Sequence, residues 1–153
     1  MTLLLPMGTL LVITPLSGAG TPVLTPYAAR NLTQTYEPIK TSESLRRDVN
    51  AVLQSVVDTR FRKYRTTITC TDGESPALDD AWMGQEVVID CAFEFSYPTG
   101  GTPSRPVVAG STRSYGGIIY YRPQFLCLIA DIRVPGFQEW QAKYSWQVDA
   151  EEK

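Results

Sequence analysis

The chain has 153 residues, with 14 Lys and Arg against 16 Asp and Glu, a net charge of −2 and no histidine. That length suffices for one domain whose core needs neither metal nor disulfide staples. Net negative charge offers no global attraction to a phosphate backbone, and without histidine the usual activation of a serine or cysteine nucleophile is missing, so nucleic-acid binders and most enzymes are disfavoured.

From Met1 to Ala29 there is no charged residue. Pro6, Gly8 and Pro15 cut the apolar run into pieces too short to span a bilayer, and the first basic residue, Arg30, comes too late for a secretory leader. The prolines also forbid a long helix. Two placements satisfy this segment. Either Gly8 to Thr14 is a strand of the core and the rest a loop, or residues 1–29 form an extended arm that packs on a neighbouring subunit. An apolar arm exposed on a monomer is an aggregation hazard, which favours the neighbour. The candidate interface side chains are then Leu10, Leu11, Val12, Ile13, Val23, Leu24 and Tyr27, and residues 30–153 make a single β domain.

Residues 42–58 admit two readings. Leu45, Val49, Val52, Leu53 and Val56 recur at helical spacing, yet Asn50 stands between two short valine-rich runs as at the corner of a hairpin. Beyond them Tyr64, Thr66, Ile68 and Cys70 alternate with Arg65, Thr67, Thr69 and Thr71, which predicts a strand with one buried face. Arg60 and Arg62 share the parity of its apolar side and join the candidate interface, while Lys63 and Arg65 fall on the wet side. With no stacking aromatics among them, these bases read as a charged face or as partners for a neighbour's acids, not as a phosphate grip.

Glu74 to Gln85 is rich in turn formers and reads as a loop holding Trp82. Glu86 to Pro98 predicts one continuous strand, with Val87, Ile89, Cys91, Phe93, Phe95 and Tyr97 on one side. Thr99 to Pro106 is a glycine- and proline-rich loop. Further strands follow, with a turn at Pro135-Gly136 and a closing strand in which Trp140, Ala142, Tyr144, Trp146 and Val148 share a face. Short strands without interleaved long helices predict a mainly β fold, an antiparallel β-sandwich or small barrel, with at most one helix, at about 42–58.

Asp72, Glu74, Asp79 and Asp80 lack the spacing of a calcium loop and read as solvated acids. Asp90 and Glu94 lie two alternations apart, about 13 Å along a strand, too far for a glycosidase pair. Cys70, Cys91 and Cys127 include no C-x-x-C pair and read as small buried hydrophobes; a Cys70–Cys91 bridge would require adjacent strands, and the odd third thiol fits a reducing cytoplasm. Trp82, Trp140, Trp146, Tyr120 and Tyr121 fit a sugar platform less well than core or interface positions. No catalytic, metal-ligating or cofactor-binding residue is expected, and no cofactor.

The stretches SLRRDVN, FRKYRTTITCTD, PALDDAWMGQEVVIDC, YYRP and EWQAKYSWQVDAEE, taken in order over about residues 31–152, resemble small structural proteins encoded among the virion genes of tailed bacteriophages. Those proteins commonly carry Gly after the Asn of their hairpin, where this chain has Ala51. The resemblance implies a non-enzymatic virion protein, a tail or baseplate ring component assembled in the host cytoplasm through strand edges and the N-terminal arm. Its partners would be other copies of itself in a ring and other phage tail proteins, with neither membrane nor nucleic acid among them. A capsid decoration or head-to-tail connector protein is the nearest alternative. A carbohydrate-binding module contacting the host surface, through the aromatics and the 99–106 loop, is the alternative of another class.

Overall fold

The computed structural model describes residues 10–16, 30–39, 45–56, 58–79 and 81–153. Its strands are β1 (Val12–Pro15), β2 (Leu32–Pro38), β3 (Leu45–Arg47), β4 (Leu53–Ser55), β5 (Tyr64–Asp72), β6 (Glu86–Asp90), β7 (Phe95–Pro98), β8 (Arg113–Tyr115), β9 (Ile118–Tyr121), β10 (Gln124–Gln138) and β11 (Lys143–Glu152). Every pairing is antiparallel. The fold is mainly β, as the alternation predicts, and among the described residues there is no α-helix.

Six strands in the order β1-β6-β10-β11-β5-β2 curl into a half-barrel. Its concave face is built by the period-two positions: Thr66, Ile68 and Cys70 of β5, Trp146, Val148 and Ala150 of β11, Phe125, Cys127 and Ile129 of β10, Val87 and Ile89 of β6. Register places Trp146 opposite Cys70 and Val148 opposite Ile68, so a one-residue slip would turn this whole set outward.

Side chains from the sheet's two ends meet across the open side. The Gln34 amide of edge strand β2 donates to Thr66 Oγ1 (3.1 Å) and accepts from the backbone N–H of Ala92 (2.8 Å), just beyond β6. Tyr36 stacks on Phe93 with ring centroids 4.1 Å apart, and Tyr64, Phe95 and Phe125 complete the aromatic cluster.

Four expectations from the sequence are corrected here. Leu11 and Ile13 are not interface residues: at 1% and 3% exposure they lie in the chain's own core. They do so because β1 pairs with β6, Ile13 opposite Ile89, and Arg122 pins the strand's start by donating to the Leu10 carbonyl (2.7 Å). Residues 11–15 therefore belong to the β domain rather than to an arm; Val23, Leu24 and Tyr27 lie outside the described residues. Leu10 is exposed and Val12 half-buried.

Glu86–Pro98 is not one strand. The burial alternation runs through, but after Asp90 the chain leaves β6 and re-pairs as β7 in a separate sheet, β7-β9-β8. Nor is Pro135-Gly136 a turn: β10 continues to Gln138, with a register shift between Arg133 and Gly136 that accommodates a proline lacking an N–H donor. The turn comes at 139–142 and ends on Ala142 in the left-handed region at φ 48°. Arg60 and Arg62 are not on a strand but in and just after a 3₁₀ turn at Thr59–Phe61, capped by the Asp58 side chain.

Between β2 and β5 the hairpin reading of residues 42–58 holds over its described part. Among the described residues β3 and β4 pair with each other and with no other strand.

Candidate functional site

Three of the acidic residues singled out in the sequence, Asp72, Asp90 and Glu94, are engaged in structural contacts. Asp72 is clasped by Arg30, whose Nη2 lies 2.7 Å from Oδ1, whose Nε donates to both carboxylate oxygens, and whose backbone N–H donates to Oδ2. These bonds outweigh burial and hold the Asp72 carboxyl at about 2, below the ordinary 3.8. Asp90 accepts from Gln124 and Glu94 pairs with Arg113, on different elements. Asp80, which the sequence groups with Asp79, lies outside the described residues; among those described, no three metal-ligating side chains converge.

Cys70, Cys91 and Cys127 are buried thiols, none in a disulfide. Burial pushes all three away from ionisation, Cys127 up to about 12 and Cys91 higher still. They pack as the small hydrophobes that their alternating context predicts.

The basic cluster is split. Arg60 pairs with Asp58 (2.6 Å), which holds that carboxyl below its usual range, and Arg65 pairs with Glu151 and Asp149 across β11. Arg62, exposed, and Lys63, half-buried, lie just before β5 begins. Close by, Arg105 reaches in from the 99–106 loop, donating to both carboxylate oxygens of Glu152 (2.5 and 3.0 Å) and to the Arg62 carbonyl (2.7 Å). Glu152, 7% exposed, also accepts from the Tyr64 N–H (2.8 Å), so this loop is tied into the core's edge.

The proposed sugar platform is not assembled. Trp146 and Tyr121 are buried, Tyr120 lies beneath Arg113 (4.4 Å), and only Trp82 and Trp140 stand exposed.

Two surface features remain, and the candidate interface residues read from the sequence include neither. The first is the β3–β4 hairpin. The Asp48 carboxylate shapes its turn by accepting from the N–H groups of Asn50 (2.9 Å) and Val52 (3.0 Å) and from the Gln54 amide (3.1 Å). Arg47 donates to the Ala51 carbonyl (2.9 Å), and Ala51 takes φ 63°, a conformation ordinarily left to glycine. Around this local scaffold Leu45, Val49, Val52, Leu53 and Val56 are all exposed, Val49 completely. The signal in the sequence was the Asp-x-Asn corner between valine runs, which the helical spacing of the same valines obscured.

The second is a cleft of about 470 Å³ beneath the 74–85 loop, walled by Pro76, Leu78, Ala81, Trp82, Met83 and Ile132. Trp82 is 68% exposed at its mouth. Backbone bonds from Gly84 to the Ile129 carbonyl (2.8 Å) and from Ile129 to the Gln85 carbonyl (3.0 Å) hold the loop against β10.

Among the described residues, no helix is long and apolar enough to cross a membrane. No protein-family model, no curated protein and no solved structure matches this chain.

Proposed function

We propose that this chain is a non-enzymatic structural protein of a tailed-bacteriophage virion, a tail or baseplate ring component assembled in the host cytoplasm. The observation that carries the proposal is the β3–β4 hairpin, which exposes Leu45, Val49, Val52, Leu53 and Val56 and, among the described residues, pairs with no other strand. Apolar projections of this kind are an aggregation liability unless another chain covers them. Among the described residues β1 and β2 are the outermost strands of the six-stranded sheet, where backbone donors and acceptors suit strand addition. The ordered motifs over residues 31–152 resemble virion proteins and point the same way.

Gold-labelled antibody against the chain, applied to intact particles of the phage or induced prophage that encodes it, tests this reading. Label at the tail tip supports it. Label on the capsid replaces it with the decoration or connector reading, and particles without label overturn both. Exposed Trp82 and Trp140 favour a second reading, a carbohydrate-binding module; a glycan array without hits for the purified chain rejects it.

A further inference from the structure

Asp72-Gly73 is the chain's single Asp-Gly pair, and the chain has no Asn-Gly. Such a pair carries a chemistry of its own, because glycine has no Cβ to shield its amide nitrogen from the preceding carboxyl. The structure sets the two groups side by side. The Gly73 N–H donates to Asp72 Oδ1 at 2.6 Å, where β5 ends and the exposed residues Gly73, Glu74 and Ser75 begin. Arg30 occupies the same carboxyl. Oδ1 accepts from its Nε (3.0 Å) and Nη2 (2.7 Å), and Oδ2 from its Nε (3.1 Å) and its backbone N–H (2.8 Å), with Asp72 left 6% exposed. The guanidinium also overlies the glycine, since a Cβ placed on Gly73 would stand 3.4 Å from Nη2.

We infer that Asp72-Gly73 is a latent isomerisation site and that the Arg30 clasp holds it unreacted. In the reaction the Gly73 nitrogen attacks Asp72 Cγ and forms a C–N bond. The hydroxyl of the carboxylic acid and the amide proton leave together as water, closing a five-membered succinimide. A second water opens the ring, and attack at the former main-chain carbonyl leaves the backbone running through the Asp72 side chain. The product is an isoaspartyl link, with one more methylene in the main chain. Expulsion of water needs the protonated acid, and a carboxylate bonded to a guanidinium stays ionised. Tying both oxygens also restrains Cγ from turning toward the nitrogen. The position gives the modification its effect: Asp72 lies opposite Tyr144, where β5 hands over to the 74–85 loop, so an inserted methylene would displace that loop and Trp82 relative to the sheet. This chemistry belongs to the chain itself and does not rest on the assembly role proposed above.

Peptide mapping by mass spectrometry, with fragmentation that separates aspartyl from isoaspartyl links, tests this on the full chain kept in warm neutral buffer. The folded parent is expected to gain isoaspartate at Asp72 slowly, and the parent unfolded in urea several-fold faster. Arg30→Gln, with its fold checked by far-ultraviolet circular dichroism, is expected to gain it several-fold faster than the folded parent. Adding Gly73→Ala to that variant is expected to bring the rate back down, because the new methyl shields the nitrogen. Should Arg30→Gln lose the parent spectrum, Arg30→Lys takes its place, keeping a cation at the site without the paired donors, and is likewise expected to outpace the parent. A folded parent that isomerises as fast as the unfolded chain overturns the inference. So does a folded Arg30 variant no faster than the parent, or a double variant as fast as Arg30→Gln.

Discussion

The half-barrel and the β3–β4 hairpin use the same residue types to opposite ends. In the half-barrel, valine, isoleucine and leucine alternate with threonine and charged residues, the apolar members on the concave face are almost wholly buried, and every buried side-chain polar atom among the described residues has a partner. In the hairpin, valine and leucine flank a polar turn and none of them is buried. The turn is nonetheless fully specified, because one carboxylate, Asp48, organises it locally. Shape and burial are therefore separable here. Local hydrogen bonding suffices to form the hairpin, and its apolar surface is left available for another chain.

The largest effect that contrasts the two regions comes from truncating one side chain in each. Phe125→Ala removes a fully buried ring from the aromatic cluster and should lower stability by about 4 kcal/mol in urea unfolding. Leu53→Ala, on the hairpin, should stay within about 0.5 kcal/mol of the parent. Equal losses would mean that the hairpin is covered within the monomer.

Somewhat smaller is the expected cost of releasing the 99–106 loop. Arg105→Ala strands Glu152 near the core's edge without its guanidinium and should destabilise by about 3 kcal/mol in the same assay. A near-neutral result would show that solvent replaces Arg105 freely.

The Arg30–Asp72 clasp gives a pH-dependent contribution. Because the folded carboxyl sits at about 2 instead of 3.8, its stabilisation is complete above the ordinary carboxylate value and disappears as pH falls through about 2. Melting temperatures followed between those values should decline more steeply for the parent than for Asp72→Asn, which should already be less stable at neutral pH. Superimposable acid profiles would remove the clasp from the stability of this edge.

The smallest effect is a gain. Ala51→Gly relieves a left-handed alanine and should strengthen the hairpin by about 1 kcal/mol, read as slower hydrogen exchange at the Val52 amide, whose partner is Asp48.

The fold class, the register-forming alternation of β5 and the buried state of the cysteines were legible because each follows from a two-residue period within one strand. Pairing partners were not. Val87 through Tyr97 keeps its alternation while the chain moves from one sheet to another, and side-chain period carries no information on which backbone lies alongside. Arg60 was misplaced for a related reason: parity extrapolated backward from Tyr64 ignored Asp58, whose side chain starts a 3₁₀ turn. Leu11 and Ile13 look like an exposed liability until β6 is known to have a vacant edge beside it. The cleft beside Trp82 depends on the long-range approach of the 74–85 loop to β10, for which the loop's composition holds no cue.

The three buried thiols bear on how the chain meets oxidants. Held protonated and away from solvent, Cys91 and Cys127 offer neither nucleophile nor oxidation target, and Cys70 is shielded in the same core. A chain so arranged can meet an oxidising environment with its covalent structure unchanged.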